Sequence, residues 1–305
     1  MSEKLRCAVI GVGYLGQYHA QKYACLDECE LVAVVDALPQ RAQEVAQRFD
    51  CLGLSALSDL PDVDAVSVVV PTSGHYEVAS YCLARGFHVL VEKPIAANLK
   101  QADGLIEAAR RADRILLVGH LERFNSVLLA LDWVRERPRF IESHRLAPFK
   151  SRATDVDVVL DLMIHDIDII LELVGSEVVQ LDASGIPVLT DEVDIANARL
   201  QFANGSVANV TASRVSLKHE RKMRLFLPKR YVSLDFQTRS LSVCWNSGGE
   251  IQQNRIQYQE SDALLAEIRH FIDCIRHKSR PLISGQAGRR ALATAIEITN
   301  ALSRR

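Results

Sequence analysis

The run Gly11-Val12-Gly13-Tyr14-Leu15-Gly16 restricts this chain more than any other six residues do. It follows the apolar segment 5–10 (LRCAVI) directly and opens a helix-like stretch that continues to about residue 26. In a GxGxxG turn between strand and helix, the first glycine permits the tight turn. The second lets a pyrophosphate approach the backbone, and the third lets helix and strand pack closely. The helix N-terminus adds unpaired N–H groups and a partial positive charge for the anion. The string alone is a weak signal, and its context strengthens it. Asp36 ends the next strand-like run, LVAVV (31–35), twenty residues after Gly16. A carboxylate there can accept hydrogen bonds from an adenosine ribose. It repels a ribose 2′-phosphate, so the expected cofactor is NAD rather than NADP. Tyr14 and Leu15 belong to the same expected contact set. Arg41, one turn into the following helix, reads either as a neighbour of adenine or as a solvated helix residue.

The scaffold around this turn is an alternation. Helix 38–48 leads to strand 65–70 (AVSVVV), helix 75–85, strand 88–91 (HVLV), helix 99–112 and strand 115–119 (ILLVG). Continuous β-branched strands alternating with amphipathic helices mean a parallel sheet covered on both faces, the doubly wound α/β pattern. Ligands of such sheets lie at the carboxyl ends of the strands. Two loops leave those ends: Pro71-Thr72-Ser73-Gly74-His75 and Glu92-Lys93-Pro94. A lysine held between an acid and a proline is poorly explained as a solvated charge. Pro94 restricts the backbone of Lys93 and admits a cis bond. Pro71, Thr72, Glu92 and Lys93 are therefore expected at the cofactor. His75 reads either as a cofactor contact or as a structural residue at a helix start.

After Gly119 the pattern changes. HLERFN (120–125) leads to a helix running to about 136 and a strand near 139–147. The segment 157–175 follows, and then strands at 178–187, 193–203, 206–215, 221–227, 230–236, 240–245 and 251–259. Asn204-Gly205 between two such runs is a strong hairpin signal. Sequential hairpins imply a mostly antiparallel sheet, closed by helices at 263–277 and 286–303. A chain of 305 residues exceeds the usual single-domain size. The expected division is a Rossmann NAD-binding domain over 1–120 and a second α+β domain over 121–305, with a cleft between them.

Residues 157–175, DVVLDLMIHDIDIILELVG, carry five carboxylates and a histidine in an oily segment. As a helix, Asp161, His165, Asp168 and Glu172 fall four, three and four residues apart, on one stripe. The other faces are Val, Leu, Ile and Met, with Asp157 at the helix start and Asp166 as exceptions. A helix apolar almost all round is buried, so its polar stripe needs a ligand, charged partners or water. Asp157 suits the first turn, where a carboxylate is favoured. Asp161 stands one turn from His165, where it can orient the imidazole and raise its basicity for general-base work near neutral pH. The competing reading is a satisfied core histidine with structural acids.

Hydrophobic residues make up 48% and charged residues 24%, ample for two cores. The formal net charge of -2 argues against nucleic-acid and membrane-surface partners and leaves a small molecule as the expected one. No uncharged run approaches the roughly 20 apolar residues of a membrane span. The N-terminus, MSEKLRCAVIG, enters a strand-like run with no signal-peptide core, so a cytoplasmic protein is expected. The seven cysteines are scattered. No histidine or second cysteine pair joins Cys25 and Cys29 into a zinc set, so reduced thiols and no metal are expected.

GVGYLG with Asp36, Glu92-Lys93-Pro94 and Asp161-x-x-x-His165-x-x-Asp168 together resemble the Gfo/Idh/MocA oxidoreductase family, over the whole chain. The resemblance implies a Rossmann domain plus a domain with a large open sheet, which commonly forms a dimer or tetramer interface. It also implies that Lys93, Asp161 and His165 line the reacting carbon. GHLERFN (119–125), RLAPFKSR (145–152), DVDVVLDLMIHDIDII (155–170) and TDEVDIANARLQFANG (190–205) resemble, within that family, the branch of UDP-N-acetylglucosamine 3-dehydrogenases. Members of that branch prepare a 3-amino sugar for lipid A. One departure is the acidic run 155–157, where the family commonly has glycines.

The activity so implied is oxidation of a ring hydroxyl of a sugar nucleotide, the 3-hydroxyl of UDP-N-acetylglucosamine, by hydride transfer to NAD. Either His165 or Lys93 could act as the base, with Lys93 otherwise stabilising the oxyanion. A diphosphate needs cations, and arginine forks match its oxygens. Arg123, Arg145, Lys150 and Arg152 are the candidates, with Asn125 and Asp168 completing the expected substrate contacts. The alternatives are a dehydrogenase of a free polyol, inositol or dihydrodiol, an oxidoreductase with a tightly held, recycling nucleotide, and a non-catalytic sensor on the same fold.

Overall fold

The computed structural model describes residues 3–131, 134, 136–149 and 156–303. The chain forms two compact units, Met1–Leu121 with Asp262–Arg289, and Glu122–Ser261 with Arg290–Arg305. Among the described residues no helix is long and apolar enough to cross a membrane.

The first unit runs β1 (Leu5–Ile10), α1 (Gly16–Cys25), β2 (Cys29–Val35), α2 (Pro39–Phe49), β3 (Leu52–Leu54), β4 (Ala65–Val68), α3 (Thr72–Ala84), β5 (His88–Glu92), α4 (Leu99–Ala112) and β6 (Leu116–Gly119). The strands pair in parallel in the order β3-β2-β1-β4-β5-β6. All four residues of β4 are buried, as a central strand covered on both faces requires. The strand order reverses between β1 and β4, and the carboxyl ends flanking that point are where such sheets take ligands. The short strand β3 was not expected, since Leu-Gly-Leu offers no alternation to read. Gly53 admits close packing there, because a Cβ would lie 2.9 Å from the Ala42 carbonyl oxygen of α2.

The second unit opens with α5 (Ser126–Leu129), shorter than the helix expected to reach 136; residues 132, 133 and 135 of that span lie outside the described residues. β7 (Phe140–Leu146) follows, and then the helical segment 157–175. That segment begins as a π-helical turn, Val159–Met163, and continues as α6 (Ile164–Val174), ended by Gly175 at φ 56°. Asp157 accepts the N–H of Leu160 through Oδ1 at 2.9 Å, as expected of a first-turn carboxylate. The remaining strands are β8 (Val178–Ile186), β9 (Ile195–Phe202), β10 (Val207–Ser213), β11 (Glu220–Leu227), β12 (Arg230–Asp235), β13 (Ser240–Ser247) and β14 (Glu250–Gln257). They form one eight-stranded sheet with β7, in the order β14-β13-β12-β11-β7-β10-β9-β8. Every neighbouring pair is antiparallel except β7 and β10. One face carries Ile141, Leu200, Val210, Met223, Leu225 and Val232 into a core shared with Ile164, Ile167 and Ile170 of α6. The other face carries cross-strand pairs, Asn197 with Thr211 and Arg199 with Asn209, beside the rings of Phe140, Phe226 and Tyr231.

The chain then enters α7 (Ala263–His277) and α8 (Gly285–Leu302). The sequence reading placed 121–305 in one domain, whereas residues 262–289 are part of the first unit. The reason is the apolar face of α7: Leu264, Ile268, Phe271 and Ile272 pack with Tyr23, Leu90 and Leu117 in the first unit's core. Val118 also donates its N–H to the Ile283 carbonyl at 3.0 Å, tying this return segment to β6.

One buried carboxylate organises the loop before β9. Asp194 is fully buried. Its Oδ2 accepts the N–H groups of Val188, Leu189 and Thr190 at 2.8, 2.6 and 2.9 Å, and its Oδ1 accepts the Thr190 hydroxyl at 2.8 Å. Burial alone would raise its pKa, but these donors outweigh burial and lower it from 3.8 to about 2. A depressed folded pKa contributes stability that is present above the unfolded value and lost as pH falls through the folded one. Across that 3.8-to-2 window the loss is expected to reach about 2 kcal/mol. Acid unfolding of Asp194→Asn against the parent checks this: the variant's deficit in stability should shrink between pH 4 and pH 2.

Candidate active site

In the first unit, the carboxyl ends of β1, β2, β4 and β5 border a cavity of about 730 Å³. It gathers Gly11, Gly13, Leu15, Asp36, Arg41, Pro71, Thr72, His75, Glu92 and Lys93. The three glycines of the turn differ in what they do. A Cβ on Gly11 would lie 2.7 Å from the Val69 carbonyl oxygen, and one on Gly16 would lie 1.8 Å from the Gly11 oxygen. These two are packing requirements. A Cβ on Gly13 would meet nothing nearer than the Arg41 guanidinium at 3.8 Å. The backbone there faces open space beside the N-terminus of α1, the approach a pyrophosphate needs, so this turn fits NAD.

Asp36 is nearly buried and fixed on both oxygens. Oδ2 accepts the Val12 N–H and Oδ1 the Leu38 N–H, each at 2.9 Å, while Arg41 Nη1 lies 3.4 Å from both. A carboxylate has about four lone-pair sites, and the two long Arg41 contacts at 3.4 Å are the ones that ribose hydroxyls could replace. Arg41, read from sequence as adenine neighbour or solvated residue, is half-exposed and leans on Asp36. Tyr14 is exposed and lies with Gly13, Gln17, Arg41 and Arg48 at an adjoining hollow of about 290 Å³.

The two loops are tied together by His75. Its ring spans the Pro94 carbonyl at 2.8 Å and the Val70 carbonyl at 2.9 Å, so it lines the cavity with both nitrogens engaged by backbone. Burial lowers its pKa despite the two carbonyls, which act the other way. The Lys93–Pro94 bond is cis. Glu92 accepts the Lys93 N–H through Oε2 at 3.2 Å and meets His19 Nε2 through Oε1 at 3.2 Å. Its carboxyl lies against β6, where a Cβ on Gly119 would approach it to 3.0 Å. His19 was not singled out in the sequence, although it sits one turn into α1 behind the glycine motif. Ser55 and Leu57, which also line the cavity, follow the unexpected strand β3.

In the second unit, the acids of α6 find arginines. Asp166 and Arg145 form a two-pronged pair, Nε to Oδ2 at 2.9 Å and Nη2 to Oδ1 at 3.0 Å, both nearly buried. Arg145 Nη1 also donates to Glu122 at 3.0 Å, and Arg221 reaches the same oxygen at 3.2 Å. Arg123 donates Nε to Asp168 at 2.7 Å and Nη2 to Glu172 at 3.1 Å. Burial opposes the charge on Arg145, yet Asp166 and Glu122 outweigh it and raise its pKa further. Thus Asp168 and Glu172 share one cation, and Arg123 and Arg145 hold carboxylates of their own unit. Asn125 accepts the Val127 N–H at 3.2 Å and donates to the Phe236 carbonyl at 3.2 Å. Asp161 lies within the π-helical turn and His165 in the first turn of α6, both half-buried. Lys150 and Arg152 lie outside the described residues.

Residues 5–120 match the Gfo/Idh/MocA oxidoreductase family, NAD-binding Rossmann fold, and residues 123–232 match the Gfo/Idh/MocA C-terminal domain. The chain is 40% identical over 305 residues to UDP-N-acetylglucosamine 3-dehydrogenase of Acidithiobacillus ferrooxidans, covering 96% of each protein. It is 28% identical to myo-inositol 2-dehydrogenase of Thermotoga maritima, over 94% of this chain and 93% of that one. A solved structure of the Acidithiobacillus enzyme, GnnA, matches with a TM-score of 0.95 at 39% identity, over 99% of both chains. The chain belongs to the Gfo/Idh/MocA family of NAD-dependent oxidoreductases.

Proposed function

We propose that this oxidoreductase oxidises the 3-hydroxyl of UDP-N-acetylglucosamine to a ketone. The observation that carries this reading is the 40% identity, over 96% of both chains, to an enzyme of that activity. The chain also has Lys93, Asp161 and His165 in the two motifs that carry the family's chemistry. When bound at the glycine turn, NAD accepts the hydride from the carbinol carbon. His165, oriented by Asp161, takes the hydroxyl proton. Lys93 donates a hydrogen bond to the same oxygen and stabilises the negative charge that develops there. The C–H electron pair thus leaves with the hydride, and the O–H pair closes the carbonyl. The product ketone suits transfer of an amino group, consistent with a cytoplasmic role in making the 3-amino sugar of lipid A.

Arg123 and Arg145 spend their donors on carboxylates, so Lys150 and Arg152 are the cations proposed for the diphosphate. Arg152→Glu is expected to weaken UDP-sugar binding in calorimetry while NAD affinity holds; equal losses for both ligands would withdraw the assignment. The open face of the eight-stranded sheet, with its paired polar side chains and three half-buried rings, is the proposed homo-oligomer surface.

The reading is tested by NADH formation with a panel of UDP-sugars and free polyols. Glutamate and a sugar aminotransferase are included to trap the ketone. Turnover with UDP-N-acetylglucosamine is expected. Turnover only with a free polyol would retain the fold and remove the diphosphate site. Silence with every substrate, with NAD bound, would favour a sensor.

A further inference from the structure

Asp161 and His165 stand at a change of helix pitch, one inside the turn Val159–Met163 and the other in the first turn of α6. Each flank of that joint is tied to the second unit by its own bonds. Beyond it, Asp166 holds Arg145 of β7, and Asp168 holds Arg123. Before it, Val158 donates its N–H to the Val193 carbonyl at 2.9 Å, and Arg214 donates to the Val156 carbonyl. These bonds fix the chain entering the joint and the helix leaving it. A further set reaches into the joint itself. Asp157 accepts the Leu160 N–H through Oδ1 at 2.9 Å and the Asp161 N–H through its backbone carbonyl at 3.1 Å. Its other carboxylate oxygen, Oδ2, accepts the hydroxyl of Thr299 at 2.9 Å.

Thr299 comes from α8, 142 residues further along the chain. Around it, Ala291, Ala295 and Ile298 of α8 pack into the same core as Val158, Val159 and Ile164, so a packed helix presents the hydroxyl. A β-branched side chain in a helix also has few rotamers to choose from. Asp157 is nearly buried, which leaves little water to replace a lost donor. Without the hydroxyl, Oδ2 becomes a buried acceptor short of a partner, and such a group costs its full desolvation. The carboxylate regains a partner only by turning, and turning draws Oδ1 away from the Leu160 N–H. A hydroxyl on α8 is therefore connected to the backbone at Asp161 through one intervening residue.

We propose that Thr299 is a positioning residue for the reaction: its hydroxyl fixes Asp157, which holds the backbone at Asp161 and so keeps that carboxylate in place one turn before His165. The proposal rests on the reading of Asp161 and His165 as residues of the reacting site. It extends that site to the last helix of the chain.

Three variants of the full-length protein separate the hydroxyl from the methyl. Thr299→Val loses the hydroxyl, Thr299→Ala loses both groups, and Thr299→Ser loses only the methyl. Amide hydrogen exchange of the substrate-free protein reads the anchor. Leu160 and Asp161 should exchange about tenfold faster in Thr299→Val and Thr299→Ala, and near the parental rate in Thr299→Ser. In NADH formation from UDP-N-acetylglucosamine, Thr299→Val and Thr299→Ala should lower kcat by about tenfold, with KM and NAD affinity close to the parent, the cost of a small misplacement at the reacting site. Thr299→Ser should keep the parental kcat. Ile298→Val, which trims the core face of the same helix, should lower the thermal midpoint and leave kcat intact. Unchanged exchange in Thr299→Val and Thr299→Ala would overturn the proposal. So would a kcat that these two leave unchanged, or one that Thr299→Ser or Ile298→Val lowers as much as they do. The exchange readout needs no substrate, and kcat can be read on whichever substrate turns over, so a failed substrate assignment is distinguishable from a failed role for Thr299. If Thr299→Val does not fold, the comparison of Thr299→Ala with Thr299→Ser still decides.

Discussion

Lys93→Ala is expected to lose about 10²–10³ in kcat, the usual cost of one preorganised donor to a developing oxyanion, while NAD binding changes little. The ammonium sits on a loop that Pro94 and the His75 bridge already hold in place, and Glu92 accepts the Lys93 backbone N–H. Truncation therefore removes the charge and leaves the glycine turn and Asp36 untouched. Initial rates with UDP-N-acetylglucosamine, beside a direct NAD titration, separate the two. Undiminished turnover would remove Lys93 from the chemistry. A parallel loss of NAD affinity would reassign it to the cofactor. His165→Ala belongs in the same series, since the larger loss of the two in kcat separates the base from the group that only stabilises the oxyanion.

Asp166→Ala is expected to destabilise the protein by about 3–5 kcal/mol, because it leaves two prongs of a buried guanidinium unpaired, with Glu122 holding only the third. Arg145 and Asp166 are 3% and 2% exposed, and both prongs of the pair are close to ideal length. The pair itself is a different quantity from the cost of breaking it. The double variant Arg145→Met, Asp166→Leu should recover most of the loss, since hydrophobic replacement of a whole buried pair is often neutral or better. Urea unfolding of the two singles and the double reads this directly. A loss below about 1 kcal/mol for Asp166→Ala would place the pair among solvated surface bridges instead.

Much of this was legible in the sequence. Every element of the first unit that carries its own periodicity, from LRCAVI to ILLVG, lies within a few residues of its expected span. The glycine turn, Asp36 and the Glu92-Lys93-Pro94 loop meet at one cavity. What was not legible depends on pairing across the chain. Asp166 read as an exception on an oily face because its partner, Arg145, is 21 residues away on a strand. His19 is an unremarkable letter until α1 is packed against the end of β5, where it meets Glu92. α7 itself has a clear helical pattern, but nothing in that pattern says which core its apolar face joins. Lastly, a hydrophobic repeat cannot show the wider turn at Val159–Met163, since the repeat is read by assuming 3.6 residues per turn.

That wider turn has an evolutionary meaning. A π-helical turn is an α-helix that has accommodated one additional residue, and here it sits between the stretch capped by Asp157 and the stretch that begins at Ile164. Deleting one residue within it would return the segment to an ordinary helix with its flanks facing much as before, whereas the same deletion from a regular helix would turn one flank by about 100° against the other. Asp161 lies inside this joint and His165 just beyond it. Their mutual orientation is therefore adjustable by the gain or loss of a single codon, a step no point substitution can reproduce. Alignments of such chains that close a one-residue gap near this helix would erase the record of that step.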